Sequence, residues 1–136
     1  MQKNISARLV SKKHRESFLI NMIGVKSFIF EKQIGQILKQ FVPNYQKGLF
    51  NCFQLSNSGF YMVPISEKQC TQFRIRDNDF EGYLSVDAAG VIASLFSINI
   101  FSRKYPENKK MITSFYALES FAYEHPEAGI IFDAID

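Results

Sequence analysis

Residues 53–64 read FQLSNSGFYMVP, and this stretch decides the first part of the fold. Two aromatic-rich segments, residues 50–55 and 60–63, flank the Ser-Asn-Ser-Gly sequence of residues 56–59. Asn tolerates left-handed backbone and Gly adopts it without steric cost, so this pattern predicts two strands joined by a hairpin turn. Pro64 cannot donate a hydrogen bond to a neighbouring strand, and we expect it to end the second strand.

A second pair of strands and a central helix are predicted after this hairpin. Residues 72–76 and 80–84 flank a turn at residues 77–79, which indicates a further antiparallel pair. Ser85 stands where a helix N-cap belongs, and residues 86–101 carry apolar side chains on every face. Because a helix of that kind is normally buried, we expect it to cross the sheet as the central element.

Helices are predicted on both sides of this unit. A short helix is expected within residues 18–25, and a longer one over residues 26–42, where apolar side chains recur on one face. Pro106 suits the first turn of the next helix, and a short final helix is expected to open at Pro126. The predicted fold class is α+β: a small antiparallel sheet of three to four strands packed with N-terminal and C-terminal helices.

Length and charge limit the organisation of the chain. Its 136 residues fit a single domain over residues 1–136, with residues 1–13 as a flexible basic arm. Residues 1–47 carry nine Lys and Arg against two acids, whereas residues 48–136 carry seven against eleven. Duplex DNA carries about one negative charge per ~1.7 Å of axis, so a net charge of +3 argues against imitation of DNA by the whole molecule. A local acidic patch at the C-terminal end is compatible with these charges.

Little in the sequence indicates catalysis. Cys52 and Cys70 form neither a disulfide scaffold nor a CxxC zinc pair, and no metal or cofactor is predicted. A hydrolase using either cysteine with His125 is a weak alternative, since Cys52 lies in a predicted strand and His125 is better placed to cap a helix junction. No signal peptide or membrane span is predicted, which favours a reducing bacterial cytoplasm.

Three stretches follow one another in a specific order: residues 53–64, DFEGYLSVDAAGVIASLF at residues 79–96, and YEHPEAGIIFDAID at residues 123–136. Together they resemble the antirestriction proteins of the ArdB/KlcA type, small plasmid- and island-borne proteins of mobile genetic elements. The resemblance implies an inhibitor that protects incoming DNA from type I restriction-modification systems. It also implies that the partner is the type I restriction enzyme complex or an associated protein. No cofactor, small-molecule substrate or membrane is expected, and direct DNA binding is not expected either.

The sequence departs from that family pattern at three places. Paired glycines followed by Tyr-Trp usually precede the first strand, where residues 47–50 read Lys-Gly-Leu-Phe. Ser58 replaces one of two glycines usual in the turn, and Ala-Gly-Ile-Ile at residues 128–131 replaces an Ala-rich stretch. We interpret all three departures as packing substitutions.

The acidic end supplies the predicted partner-binding residues. Asp133 and Asp136 lie three apart, so a helix places them on one face. Neither suits the negative end of a helix dipole, so stability does not explain them. We expect both residues, with Glu127, to contact a basic surface of the restriction machinery, and the Asn57-Ser58-Gly59 turn to add an accessory contact. The alternative function is a DNA-binding accessory protein that uses the basic N-terminal half.

Overall fold

The computed structural model describes residues 4–136, which form five helices and five strands. The helices are α1 (Lys12–Ile23), α2 (Ser27–Phe41), α3 (Val86–Lys104), α4 (Lys109–Glu124) and α5 (Ala128–Ile135). The strands are β1 (Ala7–Leu9), β2 (Phe50–Leu55), β3 (Phe60–Pro64), β4 (Cys70–Ile75) and β5 (Phe80–Ser85). The fold class is α+β, as the sequence predicts.

The strands form two small antiparallel sheets. The first has the order β1-β2-β3, and the second consists of β4 and β5. Both predicted hairpins are present, with Cys52 opposite Met62 in the first and Phe73 opposite Gly82 in the second. The residues between β3 and β4 separate the two hairpins, and α3 packs against both sheets.

The N-terminal residues are held against the body of the protein. Ala7 to Leu9 pair with Leu55 to Phe53 of β2, and the backbone N–H groups of Asn4 and Ile5 donate to the Glu124 carboxylate at 2.8 and 2.9 Å. In place of the arm expected from the sequence, residues 4–13 hold these bonds to Glu124, the paired strand β1 and the start of α1. Residues 1–3, which include one of the basic residues of that arm, lie outside the described residues.

Helix α3 is the core of the fold, and it covers the outer edge of β3. The Val10 N–H donates to the Cys52 carbonyl, so the polar backbone groups of Cys52 face β1. Its register partner Met62 therefore turns its own N–H and C=O away from β2, toward α3. The Ser94 hydroxyl accepts from the Met62 N–H at 3.0 Å and donates to the Met62 carbonyl at 3.3 Å. A single side chain thus satisfies both edge groups.

The close approach of α3 to β3 requires a glycine. A Cβ atom at Gly90 would lie 2.6 Å from the Met62 carbonyl oxygen, well inside van der Waals contact. Although α3 is long and apolar enough to cross a membrane, most of its residues are buried beneath the sheets and neighbouring helices. It is the buried helix that the sequence predicts, capped at its start by Ser85, whose hydroxyl accepts from the Ala88 N–H.

The remaining helices follow the predicted pattern, with shifted boundaries. Helix α2 buries one apolar face, including Phe30 and Ile34, as predicted. Helix α1 begins six residues before the predicted start at residue 18. Pro106 lies before α4 and not in its first turn, because Asn108 caps that helix by accepting from the Met111 N–H at 3.2 Å.

Candidate functional site

The three sequence motifs meet at the N-terminal end of α3, where they form a connected polar network. Tyr61 comes from β3, Asp87 from the first turn of α3, and His125 from the junction of α4 and α5. The Asp87 carboxylate accepts from the Tyr61 hydroxyl at 2.8 Å, and its other oxygen lies 2.8 Å from His125 Nε2. The His125 side chain is only 6 % exposed, whereas that of Asp87 is 42 % exposed. One carboxylate therefore ties together elements that are distant in sequence.

The imidazole of His125 is occupied at both ring nitrogens. Nδ1 accepts from the backbone N–H of Glu127 at 3.0 Å, so Nε2 carries the proton that faces Asp87. No nitrogen is left free to take a proton from a substrate. His125 caps the C-terminal end of α4, as predicted, and joins this junction to α3.

Glu127 contributes its carboxylate to the same network. Its Oε1 accepts from the Ser85 backbone N–H at 2.9 Å, and its Oε2 accepts from the Ser85 hydroxyl. The same hydroxyl caps α3. The structure thus places Glu127, a predicted partner contact, at the start of α3, where it connects α5 to this helix.

Burial holds two nucleophilic side chains in their protonated forms. Burial raises the pKa of the Cys52 thiol to about 12, and the side chain has no exposed surface. The thiolate is the nucleophilic form, and at neutral pH the raised pKa leaves the Cys52 thiol protonated. Burial, and then the neighbouring Asp87 carboxylate, raises the pKa of Tyr61 well above its usual range. Residues 4–136 contain no group of three His, Cys, Asp or Glu side chains placed to hold a metal ion.

The turn at residues 56–59 is packed against α4. The Asn57 side-chain amide donates to the Ala117 carbonyl at 2.9 Å, and a Cβ atom at Gly59 would lie only 2.7 Å from the Ala117 Cβ. Gly59 is buried, whereas Ser58 is exposed and adopts a φ of 74°. Of the three predicted turn residues, two are therefore used for packing, and Ser58 is the one exposed to solvent.

Asp133 and Asp136 are both exposed at the C-terminal end of α5. No basic residue lies in the last turn of this helix, so neither carboxylate is compensated there against the negative end of the helix dipole. The Tyr123 ring stacks on Phe132 at a centroid distance of 4.3 Å and is 68 % exposed. The predicted acidic residues thus share α5 with an aromatic pair that extends onto α4.

The tertiary structure adds two carboxylates that sequence reasoning missed. The Asn78 side-chain amide donates to the Ala134 carbonyl at 2.5 Å, which brings the β4–β5 turn to the end of α5. Asp77 and Asp79 flank Asn78 and are exposed. We call Asp77, Asp79, Asp133 and Asp136 the acidic face. No local signal connects the turn to α5, since 56 residues separate Asn78 from Ala134.

Two of the basic residues behind the DNA-binding alternative make contacts within the protein. The Arg15 guanidinium forms an ion pair with Glu31 and donates through Nε to the Phe50 carbonyl at 3.2 Å. Arg8 donates to the Gln54 side chain at 3.3 Å. The two contacts of Arg15 join α1 to α2 and to β2, so Arg15 has a structural role.

Comparison with known proteins identifies relatives over most of the chain. Residues 43–136 match the family described as "Antirestriction protein". An antirestriction protein KlcA from Escherichia coli is 37 % identical over 95 residues, which span 68 % of this chain and 64 % of that protein. A second Escherichia coli KlcA is 30 % identical over 137 residues, spanning 97 % of this chain and 95 % of its own length.

The fold has a solved relative as well. A structure from work on the KlcA and ArdB proteins superposes with a TM-score of 0.90 at 28 % identity, covering 100 % of this chain and 98 % of the other. Those proteins are described as showing a novel fold and antirestriction activity against type I DNA restriction systems in vivo but not in vitro. None of these three relatives is described as a DNA-binding protein.

Proposed function

This chain belongs to the antirestriction protein family, and on that premise we propose that it protects DNA in the bacterial cytoplasm from type I restriction systems. Residues 1–136 would act as a single antirestriction domain, in keeping with the continuous hydrophobic core of the described residues. The observation that carries the proposal is the full-length similarity of this fold to the KlcA and ArdB structure.

We propose that the protein acts by binding another protein and not by catalysis. The buried Cys52 thiol and the fully engaged His125 ring support this proposal, since neither is available to a substrate. The activity described for the related proteins in vivo but not in vitro fits an inhibitor that needs a further component of the cell. The proposed partner is the type I restriction complex or a protein associated with it.

We propose that the acidic face is the contact surface. Its four carboxylates are exposed, and residues 4–136 contain no ion pair that involves any of them. Asp133 and Asp136 lie at the negative, C-terminal end of the α5 helix dipole, where a carboxylate is unfavourable. Because they reduce local stability, they are candidates for a role in recognition. A basic surface of the partner is the complementary chemistry.

The other predicted site residues would have supporting roles. Glu127 would hold α5 through its bonds to Ser85, so that the acidic face keeps its position. The turn residues Asn57 and Gly59 would fix the hairpin against α4, leaving Ser58 as an accessory contact.

The experiment is phage plating on cells that carry a type I restriction system, with and without the protein. We expect the wild-type protein to restore plating, and the Asp133→Asn/Asp136→Asn variant to lose most of this protection while keeping its circular dichroism spectrum. The matched control is Glu16→Gln/Glu67→Gln, which removes the same charge from exposed acids outside the acidic face. Unchanged restriction with the wild-type protein would refute the function, whereas full protection by the aspartate variant would refute only the proposed surface.

A further inference from the structure

The α1–α2 connection and the α3–α4 connection pack together near the start of α2, and they form a surface that the proposed function does not use. The Asn108 side-chain amide donates to the Ile23 carbonyl at 2.7 Å, and the Lys110 ammonium donates to the Asn21 carbonyl at 3.1 Å. These bonds hold the α3–α4 connection against the α1–α2 connection. We call the cations at this junction the basic corner: Lys26, Arg103, Lys104, Lys109 and Lys110. One exposed acid, Glu107, lies in the α3–α4 connection among them.

Positive charge is concentrated at this corner. The Lys26 ammonium lies 3.8 Å from the centroid of the Tyr105 ring, and the Lys104 ammonium lies 5.7 Å from the same centroid. Within residues 4–136 the ion pairs join Arg15 to Glu31 and His125 to Asp87, so none involves a cation of the basic corner. No carboxylate of the described residues therefore neutralises these cations, although Lys110 already donates to the Asn21 carbonyl and Lys26 already lies over the Tyr105 ring.

Several of these charges oppose the helix dipoles. Lys26 is the N-cap of α2, where it makes no side-chain capping bond, and no acid lies in the first turn of that helix. Lys109 and Lys110 open α4, whose first turn also lacks an acid. The amino end of a helix is its positive end, so cations at these positions are unfavourable. The Tyr105 ring and the Asn21 carbonyl offset part of this cost at Lys26 and Lys110. The Lys109 ammonium has no such contact within residues 4–136, and a cation kept against a helix dipole is a mark of a functional surface.

The corner also presents bare apolar surface among its cations. Val25, next to Lys26, is 83 % exposed, and Phe28 in the first turn of α2 is 67 % exposed. An apolar centre surrounded by a charged rim is the usual arrangement of a protein–protein interface, and exposed aromatic side chains at such centres often dominate binding energy. A phosphate backbone offers no apolar surface to cover these two side chains.

We propose that the basic corner is a second docking surface, which binds an acidic segment of a protein partner that carries apolar side chains. Val25 and Phe28 would pack against the apolar side chains, and the lysines around them would pair with carboxylates. This surface is distinct from the acidic face and would engage chemistry of the opposite sign. The inference rests on the geometry of the corner and does not require that the acidic face be correct.

The test places the photo-crosslinking residue p-benzoylphenylalanine at position 28 of the full chain, in cells that carry a type I restriction system. Position 49 is the matched control, because Leu49 is an exposed apolar residue, 73 % accessible, away from the corner. We expect position 28 to crosslink to a protein at a peptide rich in Asp and Glu. Replacing Lys26→Gln/Lys104→Gln should lower that yield roughly three- to tenfold, while Lys39→Gln/Lys47→Gln should leave it unchanged.

Four outcomes would overturn the proposal: no adduct at position 28, an adduct with DNA or lipid, an adduct at a neutral or basic peptide, or equal yields at positions 28 and 49. The crosslink is read separately from phage plating. If position 28 forms no adduct while the protein still restores phage plating, only the proposal for the basic corner is contradicted. If the adduct forms while the protein does not restore plating, only the proposed function is contradicted.

Discussion

Two serines on α3 provide a direct test of how this helix is joined to the sheet. Ser94 and Ser97 are both fully buried, but only Ser94 bonds to the backbone, at the N–H and C=O of Met62. The hydroxyl of Ser97 has no hydrogen-bond partner among the described residues. Substitution of either serine by alanine removes one oxygen from the same helix. The difference between the free energies of unfolding of the two variants therefore measures what the Ser94 bonds to β3 contribute to stability.

We expect Ser94→Ala to lower the free energy of unfolding and Ser97→Ala to leave it unchanged or raise it. Ser94→Ala leaves a buried N–H and a buried C=O without partners, which costs about 1–3 kcal/mol of the free energy of unfolding. An unfolding entropy of about 2.1 cal/mol/K per residue gives roughly 290 cal/mol/K for 136 residues, so a loss of about 2 kcal/mol lowers Tm by about 7 °C. Ser97→Ala removes an unsatisfied hydroxyl and should be neutral or stabilising. Both variants gain the same helix propensity, which cancels in the comparison.

The assay is thermal unfolding of both variants by circular dichroism, with urea titration to confirm the change in free energy. Ser94→Ala should unfold well below the wild-type protein, and Ser97→Ala should unfold at or above it. Equal losses in both variants would show that the cost comes from the cavity that each substitution leaves. Unchanged stability of Ser94→Ala would show that the Met62 groups find other partners, which contradicts the role assigned to this side chain.

Three further predictions concern packing and ionisation. Gly90→Ala should lower the free energy of unfolding by about 1–3 kcal/mol, because its methyl group meets the β3 backbone. Gly129→Ala, in open space on α5, should raise the free energy of unfolding by about 0.5–1 kcal/mol. A urea titration in which both variants change stability in the same direction would contradict the packing argument. The folded Cys52 thiol keeps its proton to about pH 12, whereas the unfolded thiol loses it near pH 9.0, so stability should fall with rising pH in that window by up to ~1.4 kcal/mol per pH unit. A Cys52→Ala variant should show a shallower decline in alkaline urea titrations, and a parallel decline would refute the assignment. Ellman's reagent should modify Cys70 in the native protein and Cys52 only after unfolding; two equally fast native thiols would show that Cys52 is accessible.

Much of the architecture followed from local patterns. The aromatic segments around residues 56–59 and the pair around residues 77–79 gave both hairpins, because alternation and turn residues act over a few positions. The uniformly apolar stretch after Ser85 identified the buried helix α3. The structure differs from the prediction at residues 4–13, where β1 and the first residues of α1 stand in place of the arm. The sequence ARL is too short to show strand periodicity, and β1 exists because β2 offers it a partner.

The candidate site was predictable only in part. The sequence indicated that Asp133 and Asp136 are set against the helix dipole, and the structure places both on the surface. It could not show that the turn carrying Asp77 and Asp79 is joined to the end of α5, since that depends on one bond between Asn78 and Ala134. Equally, nothing local indicated that the Glu127 carboxylate would be used on Ser85.

The sequence by itself determined the family, the α+β class and the elements, because the order of motifs, the hydrophobic period and turn chemistry are properties of neighbouring residues. The tertiary structure decided which charges are free. Hydrogen bonds across long sequence separations engage Asn57, His125 and Glu127 within the fold, and they leave the acidic face and most of the basic corner exposed. Availability to a partner depends on distance in space, and a sequence records only distance along the chain.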